Sequence, residues 1–147
     1  MAAVKQRLAM PTPVDDFFID AHLVGIVSRR KEYQFCWDVN RQLGFRFKMN
    51  NELEVMLVKK ERRCFFSVYE YEEPTRYTSH YLYNNHYQGE YLLPELKHFD
   101  FVWLIKGAYY QMEGARWLTD ILKDMEGVQL VSVLNPAELK SRENLIL

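Results

Sequence analysis

Two kinds of apolar run alternate along this chain. Short runs rich in β-branched and aromatic residues predict strands, and two longer stretches with helical spacing predict helices. The first strand is expected from about Phe17 to Val27, where Gly25 marks a bulge or a close backbone approach. Lys31 to Leu43 then reads as a helix, with Gly44 in the position that favours a left-handed cap. On it Tyr33, Cys36, Trp37 and Asn40 form one stripe and Phe35, Val39 and Leu43 an adjoining one. So broad an apolar surface predicts deep burial, with Trp37 in the core. Leu53 to Val58 and Cys64 to Tyr71, joined by the charged tip Lys59 to Arg63, read as a hairpin. Arg76 to Tyr83 and His86 to Leu92 read as a second one around Asn84-Asn85, since Asn tolerates positive φ. Phe99 to Lys106 is nearly all apolar, as expected of a central strand covered on both faces. Ala108 to Met125 is the second helix, with Ala115, Leu118, Ile121, Leu122 and Met125 aligned, and Val128 to Leu134 is the last strand.

The resulting order, β-α-β-β-β-β-β-α-β, has no internal repeat and no linker. Two helices cannot cover both faces of so large a sheet. The economical packing is an α+β two-layer sandwich, a largely antiparallel sheet of about six strands with both helices on one face. The other face is then partly wet, covered by loops, or used by a partner. At 147 residues the chain has room for one domain, assigned to residues 17–147, after a flexible leader over residues 1–16 in which Pro11 and Pro13 interrupt regular structure. No apolar stretch approaches the roughly 20 residues of a membrane helix, and the first residues lack the core of a secretory signal. Cys36 and Cys64 sit among apolar neighbours and read as reduced core thiols, which points to the cytoplasm and to no membrane partner.

Charge and aromatic content change the picture in two places. The net charge of −1 argues against a general DNA-binding protein. Charge is nonetheless uneven. Residues 29–63 hold ten basic side chains against five acidic ones, and residues 64–147 hold seven against twelve. Arg29, Arg30 and Lys31, with Lys59, Lys60, Arg62 and Arg63, form a candidate basic end for weak phosphate contact, RNA being the nucleic acid expected. A bipolar molecule of this kind also suits head-to-tail self-association. Of the ten tyrosines, seven lie between residues 69 and 91. On strands, Tyr69 and Tyr71 share a face, as do Tyr77, Tyr81 and Tyr83, and these five are the candidate anchors for a protein partner.

The segment Leu93-Pro94-Glu95-Leu96-Lys97-His98-Phe99-Asp100-Phe101 resembles the signature of the IPExxxVDY family of small bacterial proteins. Pro94, Glu95 and Asp100 match that string, while Leu93, Phe99 and Phe101 depart from it by apolar or aromatic swaps. The resemblance implies no reaction, ligand or catalytic residue. Physically the string is a joint. Pro94 suits the first position of a helical turn, Glu95 meets the positive end of that turn's dipoles, and Asp100 accepts backbone amides where the central strand begins.

Candidate chemistry is sparse. With Asn84-Asn85 as a two-residue turn, Tyr83 opposes His86 and His80 opposes Gly89, so the two histidines point to opposite faces. No His or Cys occurs at zinc spacing, and no metal or cofactor is expected. No serine has a G-x-S-x-G setting and no Gly-rich phosphate loop occurs, so no catalytic residue is assigned. The expectation is a non-catalytic cytoplasmic interaction protein that docks a protein partner, or itself, through the Tyr-rich strands. An RNA-binding accessory factor using the basic end is the alternative. A small-ligand enzyme centred on Glu95, His98 and Asp100 comes third.

Overall fold

A computed structural model of the chain describes residues 13–110 and 112–147, and its centre is the apolar run near Phe101. Among the described residues there are three α-helices: α1 (Pro13–Phe18), α2 (Glu32–Leu43) and α3 (Met112–Lys123). The ten strands are β1 (Ala21–Ser28), β2 (Lys48–Met49), β3 (Val55–Lys59), β4 (Arg62–Phe66), β5 (Val68–Glu73), β6 (Thr78–Asn84), β7 (His86–Tyr87), β8 (Glu90–Tyr91), β9 (Phe101–Lys106) and β10 (Val128–Leu134). Six of them make one sheet in the order β10-β1-β9-β6-β5-β2, every neighbouring pair antiparallel. The class is α+β, as the periodicity predicts. β9 lies inside the sheet with Phe101 through Ile105 all buried, as an unbroken apolar run requires.

Both long helices cover one face. α2 buries Phe35, Cys36 and Val39, and α3 buries Leu118 and Leu122, against Val24, Ile26, Phe101, Trp103 and Ile105 of the sheet. Phe35 stacks on Phe101 at 4.9 Å. Gly44 caps α2 with φ 70°, and beyond it Asn40 holds Phe47 by donating to its carbonyl and accepting from its N–H, at 3.0 and 2.7 Å. Phe45 and Phe47 thereby fold back onto the sheet.

The other face is covered by short elements. Phe18, Cys64, Phe66, Leu92, Leu93, Leu96, Phe99, Leu139 and Leu145 pack on Leu23, Val68, Tyr83, Val102 and Leu104. Residues 13–16, expected as leader, belong to this layer: Pro13 opens α1, where its missing N–H has no partner to lose, and Asp15 pairs with Arg142. Residues 1–12 of the expected leader lie outside the described residues. Gly25 is the close approach the sequence predicts, because the Phe99 ring rests where a Cβ would be.

Three expectations are corrected. Trp37 is 59% exposed, because α2 turns Phe35, Cys36 and Val39 inward and leaves Tyr33 and Trp37 outside. Cys64 to Tyr71 is two strands, not one: β4 pairs with β3, the chain breaks at Ser67, and β5 joins the main sheet. Asn84-Asn85 is no hairpin turn. β6 lies between β5 and β9, so Tyr83 opposes Val68 and Val102 rather than His86. Asn85 is wholly buried instead, donating to Leu96 O and Phe99 O and accepting from Leu93 N. The charged tip is a hairpin turn as expected, with Lys60 and Glu61 both at positive φ.

Candidate functional site

The β1–α2 connection lines an open cleft. Ser28 Oγ donates to Gly127 O and accepts from Arg30 N, which ties the end of β1 to the start of β10. Asp100 Oδ2 accepts from Ser28 N at 2.9 Å, the backbone-amide role expected for it. Here the chain turns into α2 and leaves Arg29, Lys31 and Tyr33 exposed along a cleft of about 750 Å³, with Asn84, His86 and Asp100 on its other side. A second cleft of about 550 Å³ adjoins it. Glu32, Asn84 and His86 line both, and Phe65, Tyr87 and Glu54 extend the second. Together they form one open groove with five rings along it: Tyr33, Phe101, His86, Tyr87 and Phe65.

Two carboxylates of the groove face protein donors. Glu32 accepts from Asn84 Nδ2 at 2.8 Å, and Asp100 also lies 3.6 Å from His86 Nε2. Arg30 also lines the groove, its guanidinium paired with Asp38 at 3.1 Å and Glu126 at 3.5 Å. Among the described residues Arg29 and Lys31 form no ion pair. On the outer face of α2, one turn on from Tyr33, Trp37 lies open to solvent with the Arg41 guanidinium 4.7 Å from its ring centroid. The sequence places Tyr33 and Trp37 on one stripe, but the expectation for that stripe is burial. The signal for exposure was present: Tyr33, Trp37 and Arg41 recur at i, i+4 and i+8, beside the polar line of Arg30, Gln34 and Asp38.

The five candidate tyrosines do not share a surface. Tyr69 is buried in the helix-side core and Tyr83 in the opposite core, where its hydroxyl donates to Leu145 O at 2.5 Å. Tyr71 and Tyr81 are half-buried on opposite faces, and Tyr77 stands 91% exposed on the β5–β6 turn. The basic residues divide similarly. Arg29 and Lys31 flank the groove, whereas Lys60 and Arg62 at the hairpin tip turn to Glu90 at 3.5 and 3.4 Å, Arg62 also bonding Gln88, while Lys59 and Arg63 remain outside that knot. Pro94 opens a 3-10 turn, as expected. Glu95 accepts from Ser141 N and Oγ at 2.8 and 2.5 Å, and Asp100 serves β1, so different elements engage the two carboxylates. His98 is exposed and packs its ring on Phe99.

A buried polar cluster lies elsewhere, under Phe45 and Phe47. Trp103 Nε1 donates to His80 Nδ1 at 3.0 Å, which leaves His80 Nε2 as the donor to Glu73 Oε1 at 2.5 Å. Tyr110 OH donates to the same oxygen, and Arg76 reaches Glu73 Oε2 and Tyr110 OH. Burial lowers the His80 pKa more than Glu73 raises it, and burial pushes the Tyr110 hydroxyl far up. Both nitrogens of His80 are engaged, so the ring fastens the core and has no free base to offer. Burial, then the charge of Glu32, likewise keeps the Cys36 thiol protonated. Among the described residues no three His, Cys, Asp or Glu side chains gather as a metal site, and no helix is long and apolar enough to cross a membrane. No family model, curated protein or solved structure matches the chain.

Proposed function

We propose that this is a non-catalytic, cytoplasmic binding protein that docks a protein partner in the groove between the start of α2 and β7. The observation that carries this reading is the single groove lined by Tyr33, His86, Tyr87 and Phe65, with Trp37 exposed beside it. Aromatic residues and arginine are the side chains that interfaces favour, and large rings left in water without an internal role are its usual mark. Tyr33 and Trp37 are each 59% exposed, so most of both rings is left to solvent by the fold. The mixed charge of the groove, Arg29 and Lys31 with Glu32, Glu54 and Asp100, suits a polypeptide better than a polyanion.

One observation favours RNA as a second reading. Among the described residues Arg29, Lys31, Arg41, Arg46 and Lys48 all lack an ion-pair partner. Salt separates the two, since phosphate binding weakens steeply as salt rises and ring-mediated docking does not. Partners captured from the native cell, with and without nuclease, are compared for the parent, Y33A/W37A and R29E/K31E. The expected result is a nuclease-resistant protein, released by Y33A/W37A and retained across a salt series. Nuclease-sensitive capture, lost on R29E/K31E and at modest salt, would assign the groove to RNA instead.

A further inference from the structure

The six-stranded sheet ends differently on its two sides. One edge, β2, is two residues long. The other, β10, has seven residues, Val128–Leu134, with neither charge nor proline. Edge strands are commonly guarded by charge, proline, a bulge or brevity, because an open row of backbone donors and acceptors recruits another strand. The one irregularity of β10 is a register shift opposite Val27 and Ser28, at its first end, and Leu130 to Leu134 pair regularly with β1. Among the described residues no backbone hydrogen bond reaches the outer edge of this run. Leu130 and Val133 are 46% and 52% exposed there, on opposite faces of the strand.

We propose that two copies of this chain pair through β10, antiparallel about a two-fold axis at Ser132, into one continuous sheet. Ser132 is the midpoint of the regular run. Pairing about it sets Leu130 of one copy opposite Leu134 of the other, and Val131 opposite Val133. Both exposed apolar side chains gain apolar neighbours, and an uncharged strand meets its copy without like-charge repulsion. The second copy is the occupant because the contact is self-complementary and closes, whereas β2 offers a head-to-tail partner only two residues. α3 packs across β10, so the same axis brings the two α3 helices side by side. That supplies area toward the roughly 1,000 Å² a stable dimer needs, which a strand pair alone does not reach. This inference does not depend on the groove.

Sedimentation equilibrium on the full chain tests it. The parent is expected to be a dimer, and L130K/V133K, at two exposed positions, a monomer with an unchanged circular dichroism spectrum. S132C is expected to give a disulfide-linked dimer on mild oxidation, the native Cys36 and Cys64 being buried. A parent that is monomeric throughout, or a dimer indifferent to L130K/V133K, overturns the proposal. So does a dimer that S132C fails to crosslink. A chain that dimerises only once residues 1–12 are removed would assign the edge to that segment and overturn it too.

Discussion

Trp103 and Glu73 dictate the state of His80. The indole N–H occupies Nδ1 and the carboxylate takes the proton of Nε2, so the folded protein holds the ring neutral, in agreement with the burial that lowers its pKa. The unfolded chain takes up a proton near the ordinary value of 6.5. Between that value and the lower folded one, the unfolded state binds more protons, so stability rises with pH across this window. It is complete above the window and is lost as the solution is acidified through it. Thermal melts between pH 7 and 5 should therefore show a decline that H80Q makes shallower. Equal slopes would mean that His80 is not the group responsible. Buried Trp103 and exposed Trp37 give a second residue-scale contrast. W103A should cost about 3–5 kcal/mol, as for any large core ring, while W37A should leave the melting temperature near the parent's. A large loss for W37A would return that side chain to the core.

At the level of elements, runs and caps were legible and changes of partner were not. The helix to Gly44, the β3–β4 turn, the buried β9 and the close approach at Gly25 each follow from local residue type. Trp37 misleads because apolar character alone widens the stripe. With about 100° per residue, Phe35, Cys36, Val39 and Leu43 span an arc whose centre lies roughly 150° from Trp37. The break at Ser67 leaves no mark, since Cys64, Phe66 and Val68 keep the same two-residue alternation on both sides of it. Asn85 looks like turn chemistry, yet its amide organises the loop from Leu93 to Phe99, a role set by residues distant in sequence. N85A should cost on the order of 3 kcal/mol, because it leaves buried carbonyls and an amide unpaired. G25A should cost ~1–3 kcal/mol, because its methyl would lie 2.8 Å from the Phe99 ring. That penalty should shrink in an F99L background. Additive effects in chemical denaturation would show that Gly25 and Phe99 are not coupled.

Across the whole molecule, the chain's last described residues complete the sheet's second face. Leu139 and Leu145 are buried in that core, and Tyr83, in the middle of the sheet, donates to Leu145 O. Asn144 Nδ2 donates to Leu92 O, Arg142 pairs with Asp15 of α1, and Ser141 donates twice to Glu95. Glu95 and Asp100 thus fasten the same short string to opposite neighbours, one to this segment and one to β1, which suits a joint better than a shared reaction site. Two variants follow. L145A should cost ~2–5 kcal/mol, measured by denaturant titration, since it empties a fully buried position. Glu95 is subtler. Partial burial opposes its ionisation, but the hydrogen bonds from Ser141 outweigh this and hold the carboxyl below its ordinary range. A depressed folded pKa gives stability that is present above the unfolded value of 4.5 and is lost as pH falls through the folded one. Solvent screens so exposed a group, so the effect is small, but its sign is fixed. In acid titrations followed by circular dichroism, E95Q should lose less stability than the parent below pH 4.5. Parallel curves for the two proteins would show that this carboxylate does not anchor the segment.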